Sequence, residues 1–245
     1  MILFDRVSFR YNEKVEASFI LKEVSFSFKE GIINGLIGSN GSGKSTIARL
    51  IVDLISPTEG KIIFSEESGN FNYYFSGMIF QNPDNQIVGT TVGDDIAFGL
   101  ENLNLPSDVI ESRVKEYASI IGFEDKIDFP VERLSGGQKQ MLCVVSVLAL
   151  EPRWIVFDEP TAHLDPWARK SFWNNINLIR DKRNLGIIVI SQLSEDIIHF
   201  DKILAMEKGH IIFDGDRASF KGLEVYPSGI PIPNSWLLEK ILEKR

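Results

Sequence analysis

The chain has 245 residues, 44% of them hydrophobic, and one cysteine. That is enough apolar material for a packed core in one or two lobes, and it excludes a disulfide framework within the chain, which fits a reducing cytoplasm. The net charge of −8 is spread over interspersed acids and bases, which argues against a general nucleic-acid surface. Asp5, Arg6 and Arg10 interrupt any secretory leader, and no run of about 18 apolar residues is present to span a bilayer. A protein of this kind that serves a membrane docks onto other subunits.

In chain order, residues 2–11 read as a strand with Val7, Phe9 and Tyr11 on one face. Spacing makes Tyr11 a core aromatic, although an aromatic face near a phosphate site also suits a purine. Asn12–Ser18 reads as a polar connection. Val24, Phe26 and Phe28 alternate with Glu23, Ser25 and Ser27, the pattern of a half-buried antiparallel strand. Ile32–Ile37 is an apolar strand, and Ile47, Leu50, Ile51 and Leu54 repeat at helical spacing. Pro57–Gly60 is a turn, Lys61–Phe64 a short strand, Glu66–Asn72 a hairpin connection and Met78–Phe80 a further strand ending at Gln81.

The texture changes at Asn82. Asp94–Asn102 reads as helical, with Ile96, Ala97 and Leu100 on one side. A second helix starts near Leu105–Asp108 and ends at Gly122, and a third runs from Leu134–Gln138 through Leu150. Cys143 lies in that last apolar run, where a small core residue is expected rather than a nucleophile. Trp154–Phe157 is a fully apolar strand ending in Asp158-Glu159-Pro160; Pro166–Arg180 is helical; Gly186–Ile190 is a buried strand ending at Ser191-Gln192. Ile203–Met206 and His210–Phe213 form a hairpin. Asn234 can cap a last helix with Leu237, Leu238, Ile241 and Leu242 on one stripe. Continuous apolar strands alternating with helices predict a mainly parallel sheet covered on both faces.

Five stretches carry chemistry. Gly38-Ser39-Asn40-Gly41-Ser42-Gly43-Lys44-Ser45 fits G-x-x-x-x-G-K-[ST], between a strand and a helix. Its glycines let successive N–H groups face phosphate oxygens, with the helix dipole behind them. Lys44 is expected to reach the β/γ-phosphates, Ser45 to hold Mg²⁺ and Thr46 to add a weaker phosphate contact. Asp158 ends an apolar strand, where ligands of open α/β sheets bind and where a Mg²⁺-linked carboxylate belongs; the adjacent Glu159 can polarise water. Ser135, Gly136, Gly137 and Gln138 open a helix and make a second anion site, or a simple cap. Gln81 is a polar strand-end residue able to sense Mg²⁺ or the water. Ala162-His163-Leu164-Asp165 follows the acid pair and can cross a dimer interface.

GSNGSGKST, LSGGQ and FDEP in this order and spacing resemble the ATP-binding cassette ATPases over residues 2–215. The resemblance implies a P-loop NTPase (RecA-like) core with an antiparallel β subdomain at 1–81 and 153–218. It also implies a helical signature subdomain at 82–152 and a C-terminal extension at 219–245. It implies ATP and Mg²⁺ as ligands and a head-to-tail dimer that sandwiches two nucleotides between phosphate and signature loops. By resemblance Tyr11 stacks on adenine, Gly38–Thr46 bind phosphates, and Ser45, Gln81 and Asp158 hold Mg²⁺. Glu159 is the catalytic base, Ser135–Gln138 are the signature, and Asp165 lies in the loop that crosses the dimer.

Phe80-Gln81-Asn82-Pro83-Asp84-Asn85-Gln86-Ile87-Val88, followed by Thr90-Thr91-Val92 and Ala97–Leu103, is similar to the ATPase subunits of energy-coupling factor importers of vitamins and cobalt or nickel. That resemblance implies a paralogous ATPase partner, a transmembrane coupling subunit, a small substrate-binding membrane protein and no nucleic acid. It places the protein peripherally on the cytoplasmic face of the membrane, with the segment after Gln81 beside the groove for coupling helices. One departure stands out: the family's switch histidine is replaced by Gln192, which donates a hydrogen bond but never becomes cationic near neutral pH. Slow hydrolysis at this chain's own phosphate loop is expected, with the paralogue supplying the better site. A soluble cassette ATPase and a largely non-hydrolysing regulatory subunit are the alternatives. His163 also departs from the commoner small residue, and an interface contact is expected of it.

Overall fold

The computed structural model describes residues 1–11, 19–64, 75–183 and 185–243. The expected polar connection at 12–18 and the hairpin connection at 66–72 lie outside them. In chain order the elements are β1 (Ile2–Phe9), β2 (Leu21–Phe28), β3 (Ile33–Gly38), α1 (Lys44–Ile51), β4 (Glu59–Phe64), β5 (Ser76–Ile79), α2 (Val92–Asn102), α3 (Ser107–Ile120), α4 (Gly136–Leu148), β6 (Trp154–Asp158), α5 (Pro166–Arg183), β7 (Gly186–Ser191), β8 (Lys202–Glu207), β9 (His210–Asp216), α6 (Arg217–Lys221) and α7 (Asn234–Glu243). They fall into two compact units, Met1–Asn70 with Arg180–Arg245, and Phe71–Ile179.

In the first unit β3 lies between β7 and β8, parallel to both, and β9 closes antiparallel on β8. Every residue of β3 and β7 is buried, as their uninterrupted apolar runs require of strands covered on both faces. A separate antiparallel sheet runs in the order β2-β1-β4. Phe4 stacks on Phe26 at 4.4 Å and meets Phe28 edge-on at 6.5 Å, contacts worth about 0.5–1.5 kcal/mol each beyond area burial. Strand β1 does not keep period two to residue 11. Arg6 has φ 49, and the register shifts between Phe4 and Val7 and again between Val7 and Phe9. The bulges bring Val7, Ser8 and Phe9 all into buried positions, and the strand stops before Tyr11.

Two helix ends also depart from periodicity. Leu54 does not belong to α1: the helix ends at Ile51, Asp53 turns left-handed at φ 56, and Leu54 is exposed. Asn234 is the first residue of α7 rather than its cap. The amides of Trp236 and Leu237 donate to the Pro233 carbonyl, and Trp236 is the buried contact while Leu237, Leu238, Ile241 and Leu242 are exposed.

In the second unit β5 and β6 pair in parallel, Met78 opposite Val156, and α2, α3 and α4 lie between them in the chain. Among the described residues no helix is long and apolar enough to cross a membrane.

Candidate nucleotide-binding site

In the first unit the chain turns from β3 into α1 through residues 39–43. Ser42 N–H closes the turn onto Ser39 O at 3.2 Å, and Gly209 N–H, from the β8–β9 turn, donates to Ser42 O at 3.0 Å. The cap of α1 is Gly43, with φ 107 and no side-chain bond to the first-turn amides. Glycine is favoured at this position. A Cβ would lie 2.7 Å from Leu21 Cδ2, and the backbone conformation itself favours glycine. A helix start without a cap leaves N–H groups in need of acceptors, and the macrodipole favours an anion there.

Two side chains strengthen the case. Ser42 Oγ is buried and has no hydrogen-bond partner among the described residues, a defect that costs about 1–3 kcal/mol until an acceptor or donor arrives. Lys44 is 5% exposed, and its Nζ donates to Gly38 O at 2.8 Å and Ser39 O at 2.9 Å. The ammonium is thus held at the loop it is expected to serve. Asn40, Gly41 and Ser45 are exposed, and Thr46 is buried.

Tyr11 is a correction to its reading as a core residue. It is 58% exposed, packs edge-on against Phe9 at 4.8 Å and accepts a hydrogen bond from Arg49 Nη1 at 3.1 Å. Its hydroxyl lies 3.5 Å from Thr46 Oγ1, so α1 fixes the phenol while the ring stays exposed. Gln192 is half-buried. It follows Ser191, whose register partner on β3 is Ile37, so Gln192 leaves β7 at the same sheet edge from which the 38–43 loop leaves β3.

In the second unit Asp158 closes the buried strand β6 and is itself half-buried. Glu159 is left-handed at φ 51, and Gln81 Nε2 donates to its Oε2 at 3.3 Å. The structure therefore brings Gln81 and Glu159 together. Asp165 Oδ1 accepts from the Trp167 and Ala168 amides at 2.8 and 3.0 Å and so caps α5, and His163 is exposed. Helix α4 opens on a full capping box: Gln138 N–H donates to Ser135 Oγ, and Ser135 N–H to Gln138 Oε1. Ser135, Gly136 and Gln138 are exposed and Gly137 is half-buried. A cavity of about 430 Å³ borders Gln81, Gly136, Lys139 and His163.

Cys143 is buried, and burial, reinforced by the Asp95 charge, pushes its thiol up to about 12. It is the inert core residue that its position predicts. Among the described residues no group of three or more His, Cys, Asp or Glu could cage a metal.

Sequence reasoning missed two anchors of the segment after Gln81. Gln86 accepts from Phe80 N–H at 2.9 Å and donates to Met78 O at 3.1 Å. Asp95, 6% exposed, accepts from the Val88 and Gly89 amides and from Ser146 Oγ. An acid beside Ile96 in the first turn of α2 reads as a solvated dipole partner, and only its place on the buried side of the helix signals otherwise.

The family model described as ABC transporter matches residues 21–162. The energy-coupling factor transporter ATP-binding protein EcfA1 of Caldanaerobacter subterraneus subsp. tengcongensis is 35% identical over 253 residues, covering 100% of this chain and 91% of the relative. The protein of the same name in Oceanobacillus iheyensis is 40% identical over 214 residues, covering 85% of this chain and 76% of the relative. The solved structure of cbiO1 from Clostridium perfringens, described as part of the ABC transporter complex cbiONQ, is 25% identical. It superposes with a TM-score of 0.83 over 99% of this chain and 94% of that one.

Proposed function

This chain belongs to the ABC transporter family, and we propose that within it the protein is an ATP-binding and hydrolysing subunit energising a micronutrient importer of the energy-coupling factor type. The observation that carries the chemistry is the uncapped, left-handed start of α1 beside the buried Lys44. The transporter type rests on relatives of that name at 35% and 40% identity over most of the chain.

In this reading Tyr11 stacks on adenine and Gly38–Thr46 cradle the phosphates. Ser45, Gln81 and Asp158 would hold Mg²⁺, which would neutralise charge developing on the transferred phosphoryl group. Glu159 orients the attacking water, and its bond from Gln81 supports that assignment, because it fixes the carboxylate before substrate arrives. Ser135–Gln138 serve the nucleotide of an opposing ATPase in a head-to-tail pair. Gln192 holds the switch position without a cationic state, so the site on this chain's phosphate loop turns over slowly and a paralogous subunit supplies the faster one. The segment after Gln81, anchored by Gln86 and Asp95, faces a transmembrane coupling subunit that also carries a substrate-binding membrane protein. The chain accordingly sits peripherally on the cytoplasmic side of the membrane.

Co-expression with candidate membrane subunits and a paralogous ATPase tests this reading. A detergent-stable, ATP-hydrolysing complex is expected, and in the isolated chain Glu159→Gln should abolish the slow phosphate release at retained ATP binding. A chain that stays out of such complexes, or whose own slow release is indifferent to Glu159→Gln, contradicts it. Gln192 favours a second reading, a nucleotide-binding regulatory subunit, in which ATP binds and Glu159→Gln changes nothing.

A further inference from the structure

Gln192 is flanked by an arrangement that its substitution does not explain. Ser191, 1% exposed, donates from Oγ to Asp196 Oδ2 at 2.6 Å. The same Oγ accepts from Leu193 N–H at 3.0 Å, so the residues before and after Gln192 are tied to one hydroxyl. Asp196 is fully buried, and its own amide donates to Leu193 O at 3.2 Å. A carboxylate is costly to bury unless hydrogen-bonded, and a hydroxyl bond to a charged acceptor is among the stronger kinds.

The short 3₁₀ turn that carries Asp196, Ser194–His199, is in turn fastened to β3. Phe200 lies against Gly35, where any Cβ would come within 2.0 Å of the ring. Asp201 N–H donates to Ile33 O and Asp201 Oδ2 accepts from Ile33 N–H, both at 2.9 Å. Strand β3 is the strand that delivers Gly38 to the phosphate loop, and Ile37 is the register partner of Ser191. The switch position is thereby referenced at both ends to the strand that sets the phosphates.

We propose that Ser191 and Asp196 are positioning residues that fix the backbone of Gln192 relative to the phosphate loop, so that the 192 side chain is aimed before nucleotide binds. The inference rests on the reading of 192 as the switch position. It places the deficit of this site in the chemistry of the glutamine side chain and not in its placement: a histidine introduced at 192 arrives in a prepared frame.

The test is single-turnover phosphate release with protein in excess of ATP, alongside ATP affinity and thermal midpoint, for Gln192→His alone and combined with Ser191→Ala or Ser191→Thr. Gln192→His is expected to raise the rate at least about tenfold, within the ~10²–10³ that such a stabilising group contributes. Ser191→Ala should remove most of that gain at unchanged ATP affinity, and Ser191→Thr, which keeps the hydroxyl, should preserve it. A Ser191→Ala, Gln192→His protein that binds ATP and hydrolyses as fast as Gln192→His overturns the proposal. If Gln192→His gives no gain, the weakened-site reading fails instead, and wild type against Ser191→Ala decides the positioning role: an unchanged rate rejects it and a rate loss rescued by threonine supports it. Should Ser191→Ala fail to fold, Asp196→Ala and Asp196→Asn carry the same comparison, with rate loss in the first and retention in the second, whose amide oxygen still accepts from Ser191 Oγ, expected, and equal rates overturning the proposal.

Discussion

Two helices in this molecule begin at glycine-bearing turns, and they complete their first turns by opposite means. Helix α1 starts on a left-handed glycine with no side chain to offer, a buried serine hydroxyl without a hydrogen-bond partner among the described residues, and a lysine folded onto loop carbonyls. Helix α4 starts on a serine whose hydroxyl and whose Gln138 partner satisfy two amides within the chain. The first start leaves its first-turn amides without a side-chain acceptor beside a lysine, an arrangement that suits an anion. The second is finished without a ligand and can present Ser135 as a rigid group to something else. Both are glycine-rich sequence motifs, and only the capping geometry separates a phosphate cradle from a preformed contact surface.

Substitutions can break this contrast, beginning with the largest effect. Lys44→Ala removes the cation of the open start and should lower single-turnover phosphate release by about 10²–10³-fold while the thermal midpoint without nucleotide changes little. Gly43→Ala forces a Cβ against Leu21 in a left-handed conformation. ATP affinity should fall at least about tenfold with a destabilisation of about 1–2 kcal/mol; equal affinity in a titration would show that the glycine start is not the phosphate site. Ser135→Ala attacks the finished start. It should cost about 1 kcal/mol of stability, read as a midpoint lowered by about 2–4 °C, with ATP affinity of the isolated chain unchanged.

The smallest effect concerns His199, downstream of the Gln192 bracket. Burial, with help from Arg217 and against the pull of Asp196, lowers its pKa from the ordinary 6.5. The folded state therefore binds fewer protons than the unfolded one between the lowered value and 6.5. The stabilisation is complete above 6.5 and is lost as pH falls through the folded value. Thermal midpoints measured from pH 8 to pH 5 should fall less on the acid side for His199→Gln than for wild type.

The sequence made the phosphate loop, Asp158 and the capping serine of α4 legible, because each depends on residues adjacent in the chain and on a change of hydrophobic period. Periodicity misplaced Tyr11 and Leu54 for a shared reason, although the resemblance put Tyr11 beside the nucleotide rather than in the core, and it misread the stripe on α7. Periodicity assumes that an element continues, and the interruptions are backbone events at Arg6 and Asp53 that carry no glycine or proline to announce them. At α7, Trp236 alone supplies the burial that four leucines and isoleucines suggest by number. The anchors at Gln86, Asp95, Ser191 and Asp196 were illegible because each is an ordinary polar residue until the amides or hydroxyls it meets are brought to it by the fold.

The proposed function joins a competent phosphate loop to a weakened switch position. The most direct measurement is phosphate release from ATP·Mg²⁺ by this chain alone, wild type against Gln192→His, over protein concentrations that span self-association, with ATP binding followed in parallel. Both proteins are expected to bind ATP, wild type to release phosphate slowly, and Gln192→His to accelerate release by at least about tenfold, with the rate rising as the chains pair. Brisk release by wild type that the histidine does not increase would contradict the proposed function.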